Sequence, residues 1–62
     1  MVLNYVQKYR QAARLTLNQL ADLSGVPVST INDIEHGAEP RVLTAIYLAK
    51  ALKTRVELLW RV

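Results

Sequence analysis

Apolar residues in the first part of the chain recur at the spacing of one helix face. Val2, Leu3, Val6, Tyr9 and Ala13 follow one another mostly at steps of three and four. Residues at this spacing lie on one side of an α-helix, because three to four residues complete each turn. The pattern predicts an amphipathic first helix that packs this face against the rest of the chain.

A second helix is predicted between a polar start signal and a glycine. Thr16 to Gln19 has the form of a capping box, in which the threonine hydroxyl accepts a first-turn N–H and the glutamine bonds back to the threonine N–H. Gly25 suits the left-handed conformation that ends many helices, so the helix is predicted to run to about Ser24. Its expected core-facing residues are Leu17, Leu20, Ala21 and Leu23.

The third and fourth helices are each introduced by a proline. Pro27 suits the first position of a helix, where the missing N–H is not needed. This third helix is predicted to bury Ile31 and Ile34 and to end at a capping Gly37. The fourth is predicted to start at Pro40 and to carry the apolar residues Val42, Ala45, Ile46, Ala49 and Leu52.

The last segment allows two predictions. The residues Thr54 to Glu57 have the form of a second capping box, which favours a short fifth helix. Val56, Leu58 and Trp60 also fall at every second position, as the residues on one face of a strand would. In the extended form, the edge of this segment could pair with residues 1–3 or with a second chain.

Five helices joined by short loops predict an all-α, compact single domain spanning residues 1–62. Two of the helices meet across the turn at Gly25 and Pro27, which is the form of a helix-turn-helix at about residues 17–36. No repeat or low-complexity segment interrupts this pattern.

Composition narrows the classes of function. The chain has no cysteine and one histidine, His36, so disulfides are excluded and a metal site is not expected. No glycine-rich phosphate loop or set of catalytic carboxylates is present, so we expect neither an enzyme nor a cofactor. No apolar run approaches a membrane span and no signal peptide is visible, so we expect a soluble, cytoplasmic protein. The formal net charge of +3 suits a polyanionic partner, although many small domains share it.

The order of these features resembles the Cro/repressor-like (Xre-type) helix-turn-helix DNA-binding domains over about residues 6–60. Each piece is common alone, and the order and spacing are what make the resemblance specific. The matching pieces are Arg10, residues 15–21 (LTLNQLA), Gly25-Val26, Ser29-Thr30-Ile31, Ile34-Glu35-His36-Gly37, Pro40 and residues 44–52 (TAIYLAKAL).

The resemblance implies an internal ion pair and a DNA-reading face. Members of the family often pair an arginine at the position of Arg10 with a glutamate at the position of Glu35, which ties helix 1 to the recognition helix. The third helix would lie in the major groove of double-stranded DNA. The exposed residues carried over to the reading helix are Pro27, Val28, Ser29, Thr30, Asn32, Asp33 and His36. For His36, next to the capping glycine, the alternatives are a phosphate contact and a plain C-terminal helix residue favoured by the dipole. Those carried over as phosphate-contacting are Thr16, Asn18, Gly37, Ala38 and Arg41. Arg14, just before the second helix, is a further basic candidate for a phosphate contact.

The third helix departs from a strong DNA reader. It contains no Arg, Lys or Gln, the residues that make many of the bidentate base contacts, and Asp33 and Glu35 give it a negative formal charge. Modest base discrimination, or readout through DNA shape and water, is therefore expected. The four basic residues of the C-terminal third are interpreted as ordinary surface: Lys50, Lys53, Arg55 and Arg61.

The resemblance also implies a homodimer on a pseudo-palindromic operator. Several apolar residues fall where the family usually has polar ones, and together they could form an exposed patch. The candidates for the dimer interface are Leu43, Tyr47, Leu58 and Trp60. The leading hypothesis is thus a transcriptional regulator, most simply a repressor. The alternative is an antitoxin or accessory module that uses the same apolar surface to bind a different protein, with weak or autoregulatory DNA binding.

Overall fold

The computed structural model describes residues 3–60, which form five helices. They are α1 (Val6–Ala12), α2 (Leu17–Ser24), α3 (Val28–Glu35), α4 (Val42–Ala51) and α5 (Val56–Leu59). No strand occurs within residues 3–60. The all-α prediction is confirmed, and the extended alternative for the last segment is wrong as far as residue 60. Met1, Val2, Arg61 and Val62 lie outside the described residues.

The core receives one completely buried side chain from each helix. Val6, Leu20, Ile31, Leu48 and Leu59 have no exposed surface. Burying a side chain of this size contributes about 2 kcal/mol, so these five residues are a large part of what holds a small domain together. α2 packs against both α3 and α4, while α1 contacts α3 and α5 contacts α4. The arrangement places α2 at the centre of the fold.

The start of α2 is a capping box, as predicted. The Thr16 hydroxyl accepts a hydrogen bond from the Gln19 N–H at 3.1 Å, and the Thr16 N–H donates to Gln19 Oε1 at 2.8 Å. The second predicted box is wrong, because Arg55 is the N-cap of α5 and no side chain caps it. Thr54 stands one residue too early for the helix that forms.

Three helices end in the same hydrogen-bonded turn, which places one residue in the left-handed region. Gly37 occupies that position after α3 with φ 107°, as expected of a glycine. Arg14 after α1 (φ 59°) and Lys53 after α4 (φ 55°) adopt it without being glycine. The turns are closed by N–H donation from Leu15 to Arg10 O, from Ala38 to Asp33 O and from Thr54 to Ala49 O. A basic side chain at a helix C-terminus is favoured by the helix dipole, which offsets part of the backbone strain.

Two helices begin later than predicted. Pro27 has an extended ψ of 145° and is the N-cap of α3, so that helix starts at Val28. α4 starts at Val42 rather than at Pro40, with Arg41 as its N-cap. In each case the proline precedes the helix and directs the chain into it.

Several residues predicted to face the core are exposed instead. Leu3 precedes α1, so helical spacing does not apply to it, and it is 82% exposed. Ala13 follows the last turn of α1 and is exposed. Leu23 and Val42 are 62% and 76% exposed, because no described residue covers the end of α2 or the start of α4 at these positions. Helical periodicity predicted a face, and the packing of neighbouring helices covers only part of it.

No helix within residues 3–60 is both long enough and apolar enough to cross a bilayer.

Candidate nucleic-acid interface

The turn between α2 and α3 is fixed by one glycine and one buried valine. Gly25 ends α2 with φ 75°, in the left-handed conformation predicted for it. Val26 is only 4% exposed, and its N–H donates to the Ser24 hydroxyl at 3.2 Å. The apolar side chain anchors the turn in the core, and this holds α2 and α3 at a fixed angle.

α3 buries one side and presents a polar side to solvent. Ile31 and Ile34 face the core. The exposed residues of the helix and its C-cap fall at helical spacing, so they share one face. This outer face consists of Ser29, Asn32, Asp33 and His36, with exposed Pro27 just before the helix. Val28 and Thr30 are half-buried at its edge.

The outer face offers hydrogen-bonding groups of the kinds that read base edges. The Ser29 hydroxyl can donate or accept, and the Asn32 amide can form a bidentate pair with adenine. The Asp33 carboxylate can accept only from a donor such as the cytosine amino group. Val28 is partly covered, which limits its reach toward a thymine methyl group.

His36 is held against the end of its own helix. Its Nδ1 donates a hydrogen bond to the Asn32 carbonyl at 2.7 Å, because a carbonyl oxygen can only accept. This contact directs Nδ1 inward and leaves Nε2 as the outer nitrogen of an exposed ring. His36 therefore serves first as a C-terminal helix residue and can offer one ring atom to a ligand.

Arg10 and Glu35 form a nearly buried, bidentate ion pair between α1 and α3. Arg10 Nε lies 2.7 Å from Glu35 Oε2, and Nη2 donates to Oε1 at 3.2 Å. The exposed fractions of the two side chains are 12% and 4%. Arg10 Nη1 also donates to the Leu15 carbonyl at 2.9 Å, so one guanidinium holds both α3 and the chain entering α2.

The hydrogen bond to Glu35 raises the pKa of Arg10, while burial opposes the rise. A raised pKa means that protonated Arg10 stabilises the fold, and this contribution is lost only in strongly alkaline solution. The pair also changes the electrostatics of α3. Because Glu35 is paired with Arg10 and its side chain is nearly buried, Asp33 is the only carboxylate that α3 exposes. The helix carries two carboxylates in the sequence, but its outer face carries only that of Asp33.

Asn4 makes a second connection to α3, which the sequence pattern did not identify. Its Nδ2 donates to the Ile34 carbonyl at 2.9 Å, and its Oδ1 accepts from the Val6 N–H at 3.0 Å. An asparagine just before an apolar helix face is a helix-start signal. That signal could have identified the bond to the Val6 N–H, which is local, but not the bond to the Ile34 carbonyl.

The residues expected to contact phosphates lie before and after α3 in the sequence, in the segment that leads into α2 and in the segment between α3 and α4. Arg14 and Arg41 are exposed, each directly before the segment that starts the next helix. Thr16 and Asn18 are exposed in the first turn of α2, where the helix dipole favours an anion. Ala38 is exposed and Gly37 half-buried in the turn after α3.

The apolar residues predicted to form one patch differ in exposure. Leu43 and Tyr47 are 62% and 46% exposed and share a face of α4. Leu58 is half-buried, and Trp60 packs against the core. The Tyr5 N–H donates to the Leu59 carbonyl at 2.8 Å, so α5 meets the start of the chain.

Within residues 3–60, no group of three or more His, Asp or Glu side chains is arranged to hold a metal ion.

A family model described as helix-turn-helix matches residues 6–59, from the first residue of α1 to the last residue of α5. A comparison with curated proteins found no match.

Proposed function

This chain belongs to the Cro/repressor-like (Xre-type) helix-turn-helix family of DNA-binding transcription regulators, and on that premise we propose that it is a repressor that binds a pseudo-palindromic operator as a homodimer. The observation that carries the proposal is the outer face of α3. This face is polar and exposed, while Arg10 of α1 and Asn4, just before α1, hold the far end of the same helix.

Base reading is assigned to the outer face. With α3 in the major groove, its N-terminal residues approach base edges first. Ser29 and Asn32 are therefore the main candidates for sequence readout, supported by Pro27 and Thr30 and by Val28 at the edge. Asp33 restricts which base can lie opposite it in the major groove. Its carboxylate is repelled by phosphates and can accept a hydrogen bond only from a base amino group. The lack of Arg, Lys and Gln predicts modest discrimination at each base pair.

Phosphate binding is assigned to the loop between α1 and α2, the start of α2, and the loop between α3 and α4. Arg14 and Arg41 supply the exposed positive charge, while Thr16, Asn18 and the backbone of Gly37 and Ala38 supply hydrogen bonds. Contacts of this kind position a protein on the duplex without reading its sequence. Binding should therefore weaken steeply as salt rises.

Dimerisation is assigned to the N-terminal half of α4. Val42 and Leu43 are 76% and 62% exposed, and Tyr47 borders them on the next turn. A two-fold dimer through this patch would repeat the same contacts on both subunits. Leu58 and Trp60, which are half-buried, would add less area. Two copies of α3 could then enter successive major grooves on one side of the duplex.

The test is selection from a random duplex library with the purified protein at about 50 and 200 mM salt. The expected result is a palindrome whose half-sites lie about 34 Å apart, one helical turn of DNA. Sedimentation should give a dimer that Leu43→Ser converts to monomer. A folded protein that enriches no sequence at either salt would contradict the proposal and favour the accessory protein-binding alternative.

A further inference from the structure

A groove lies between the end of α2 and the end of α4, and no residue of the outer face of α3 is in its described lining. It has a volume of about 480 Å³ and is lined by Leu23, Ser24, Tyr47, Lys50, Ala51 and Lys53. Leu23 is 62% exposed and Tyr47 is 46% exposed, so the apolar part of the groove is open to solvent. Leu23 and Tyr47 line the same open surface, which is rimmed by polar residues, and contiguous apolar surface of this kind marks interaction sites.

The charge of the groove selects among possible occupants. Lys50 and Lys53 are exposed, and among residues 3–60 they are the only charged residues that line the groove. A second copy of this chain placed here by a two-fold axis would bring the same lysines toward each other, which is unfavourable. The chain also carries a net charge of +3. The groove is thus complementary to a segment that is apolar on one side and acidic around it.

Lys50 and Lys53 are close to each other at the end of α4. Lys53 occupies the left-handed position after the helix with φ 55°. Its N–H donates to the Lys50 carbonyl at 3.0 Å, so the two residues belong to one turn of backbone. The rim of the groove therefore carries two neighbouring exposed cations beside an apolar surface.

We propose that this groove, defined by Leu23, Tyr47, Lys50 and Lys53, is a docking site for an acidic amphipathic helix of another protein. Leucine or aromatic side chains of the partner would pack on Leu23 and Tyr47, and its carboxylates would face the two lysines. The inference does not depend on the DNA-binding proposal, and the groove shares only Tyr47 with the surface assigned to the dimer.

The test uses synthetic helical peptides and the full chain. The probe is a fluorescein-labelled peptide of about 15 residues with leucines on one face and Asp and Glu elsewhere. A second peptide carries Lys and Arg in place of every acid, and a third carries Ser in place of every Leu. We expect the acidic peptide to bind at least tenfold more tightly than either of the others. NMR shifts on binding should be confined to the groove residues.

Variants of the protein assign the contacts. Leu23→Ser should weaken peptide binding about tenfold, and Lys50→Gln and Lys53→Gly should each weaken it about threefold. Lys8→Gln removes the same charge from α1 and should leave peptide binding unchanged. Leu23 is mostly exposed, so the variant should remain folded, as circular dichroism would verify.

Three results would overturn the inference. The first is failure of the acidic peptide to bind, or equal binding of the basic one. The second is chemical shifts that lie outside the groove. The third is loss of a homodimer in Leu23→Ser, which would assign the groove to a second copy. Selection of DNA by Leu23→Ser tests the proposed function separately, because this residue lies outside the assigned DNA-binding and dimer surfaces.

Discussion

The side-chain amide of Asn4 donates a 2.9 Å hydrogen bond to the backbone carbonyl of Ile34, so the start of the chain fastens the last turn of α3. The same carbonyl also accepts from the Gly37 N–H at 3.0 Å, so Asn4 adds a second donor at the end of the helix. The Arg10–Glu35 pair holds the next residue along. Both contacts come from the N-terminal segment, which therefore sets the orientation of the helix assigned to base reading.

Replacement of Asn4 by alanine should destabilise the domain by about 1–2 kcal/mol. The change leaves the Ile34 carbonyl and the Val6 N–H without these partners. Urea denaturation would measure the loss, and amide exchange should show faster opening of the last turn of α3. Gln7→Ala on the exposed side of α1 is the control and should change stability by no more than about 0.5 kcal/mol. Equal effects of the two variants would contradict a positioning role for Asn4.

Arg10→Met should cost about 3 kcal/mol in the free energy of unfolding. The substitution leaves the Glu35 carboxylate nearly buried without its partner, and this penalty exceeds the net value of the pair. The double variant Arg10→Met with Glu35→Met should recover much of the loss, because no buried charge remains. Thermal and urea denaturation of the single and double variants would measure both. A double variant as unstable as the single one would show that the charge is not the cause.

Gly25→Ala should destabilise the domain by about 1 kcal/mol through backbone strain alone. The glycine has φ 75°, and within residues 3–60 no heavy atom beyond its chain neighbours lies within 4 Å of the position that a Cβ would occupy. The cost therefore comes from the left-handed conformation and not from a clash. Gly25→Asn should cost less, since asparagine tolerates this region better. Equilibrium denaturation of the two variants would give the order, and a larger loss for asparagine would contradict this explanation.

Arg14→Gly and Lys53→Gly form a matched pair that separates stability from DNA binding. Each replaces a basic residue with positive φ by glycine, so stability should stay the same or rise by up to about 1 kcal/mol. Only Arg14→Gly should weaken DNA binding, with the salt slope of log K reduced by about one. Fluorescence anisotropy at several salt concentrations would measure this. Equal losses of affinity in both variants would point to net charge instead of a phosphate contact at Arg14.

Ser29→Glu should weaken binding to the selected duplex at least tenfold, because a carboxylate would enter the groove between phosphates. Asp33→Asn should act in the opposite direction and tighten binding on most sequences, since Asp33 is the one carboxylate that α3 exposes. Gln11→Glu on α1 adds the same charge as Ser29→Glu and serves as the control. Unchanged affinity of a folded Ser29→Glu protein would contradict the assignment of the reading face.

The chain pattern predicted the helices and their approximate order because their signals are local. The Thr16 capping box and Gly25 act within one turn of the backbone, and both predictions are confirmed. The ends of α1 and α4 have no glycine to mark them in the sequence. Arg14 and Lys53 adopt the left-handed conformation there, which residues with a Cβ disfavour. Only the hydrogen bonds of the completed turns explain why these residues occur there.

The candidate site was predicted less completely, because exposure depends on distant neighbours. Periodicity placed Leu23 on an apolar face, and the packing of α2 leaves it 62% exposed beside Tyr47. Leu59, which lies between the two predicted interface residues Leu58 and Trp60, is completely buried. Glu35 contributed a negative charge to α3 in the sequence, and pairing with Arg10 removes that charge from the outer face.

The sequence by itself determined the all-α class, the turn between α2 and α3 and membership of the helix-turn-helix family, since these rest on spacing along the chain. The tertiary structure decided which side of α3 is outward, which charges remain exposed, how Asn4 reaches Ile34, and where the groove beside Leu23 lies. These features join residues far apart in the chain, and no local preference encodes such contacts. They arise only when five helices bury their apolar faces against one another.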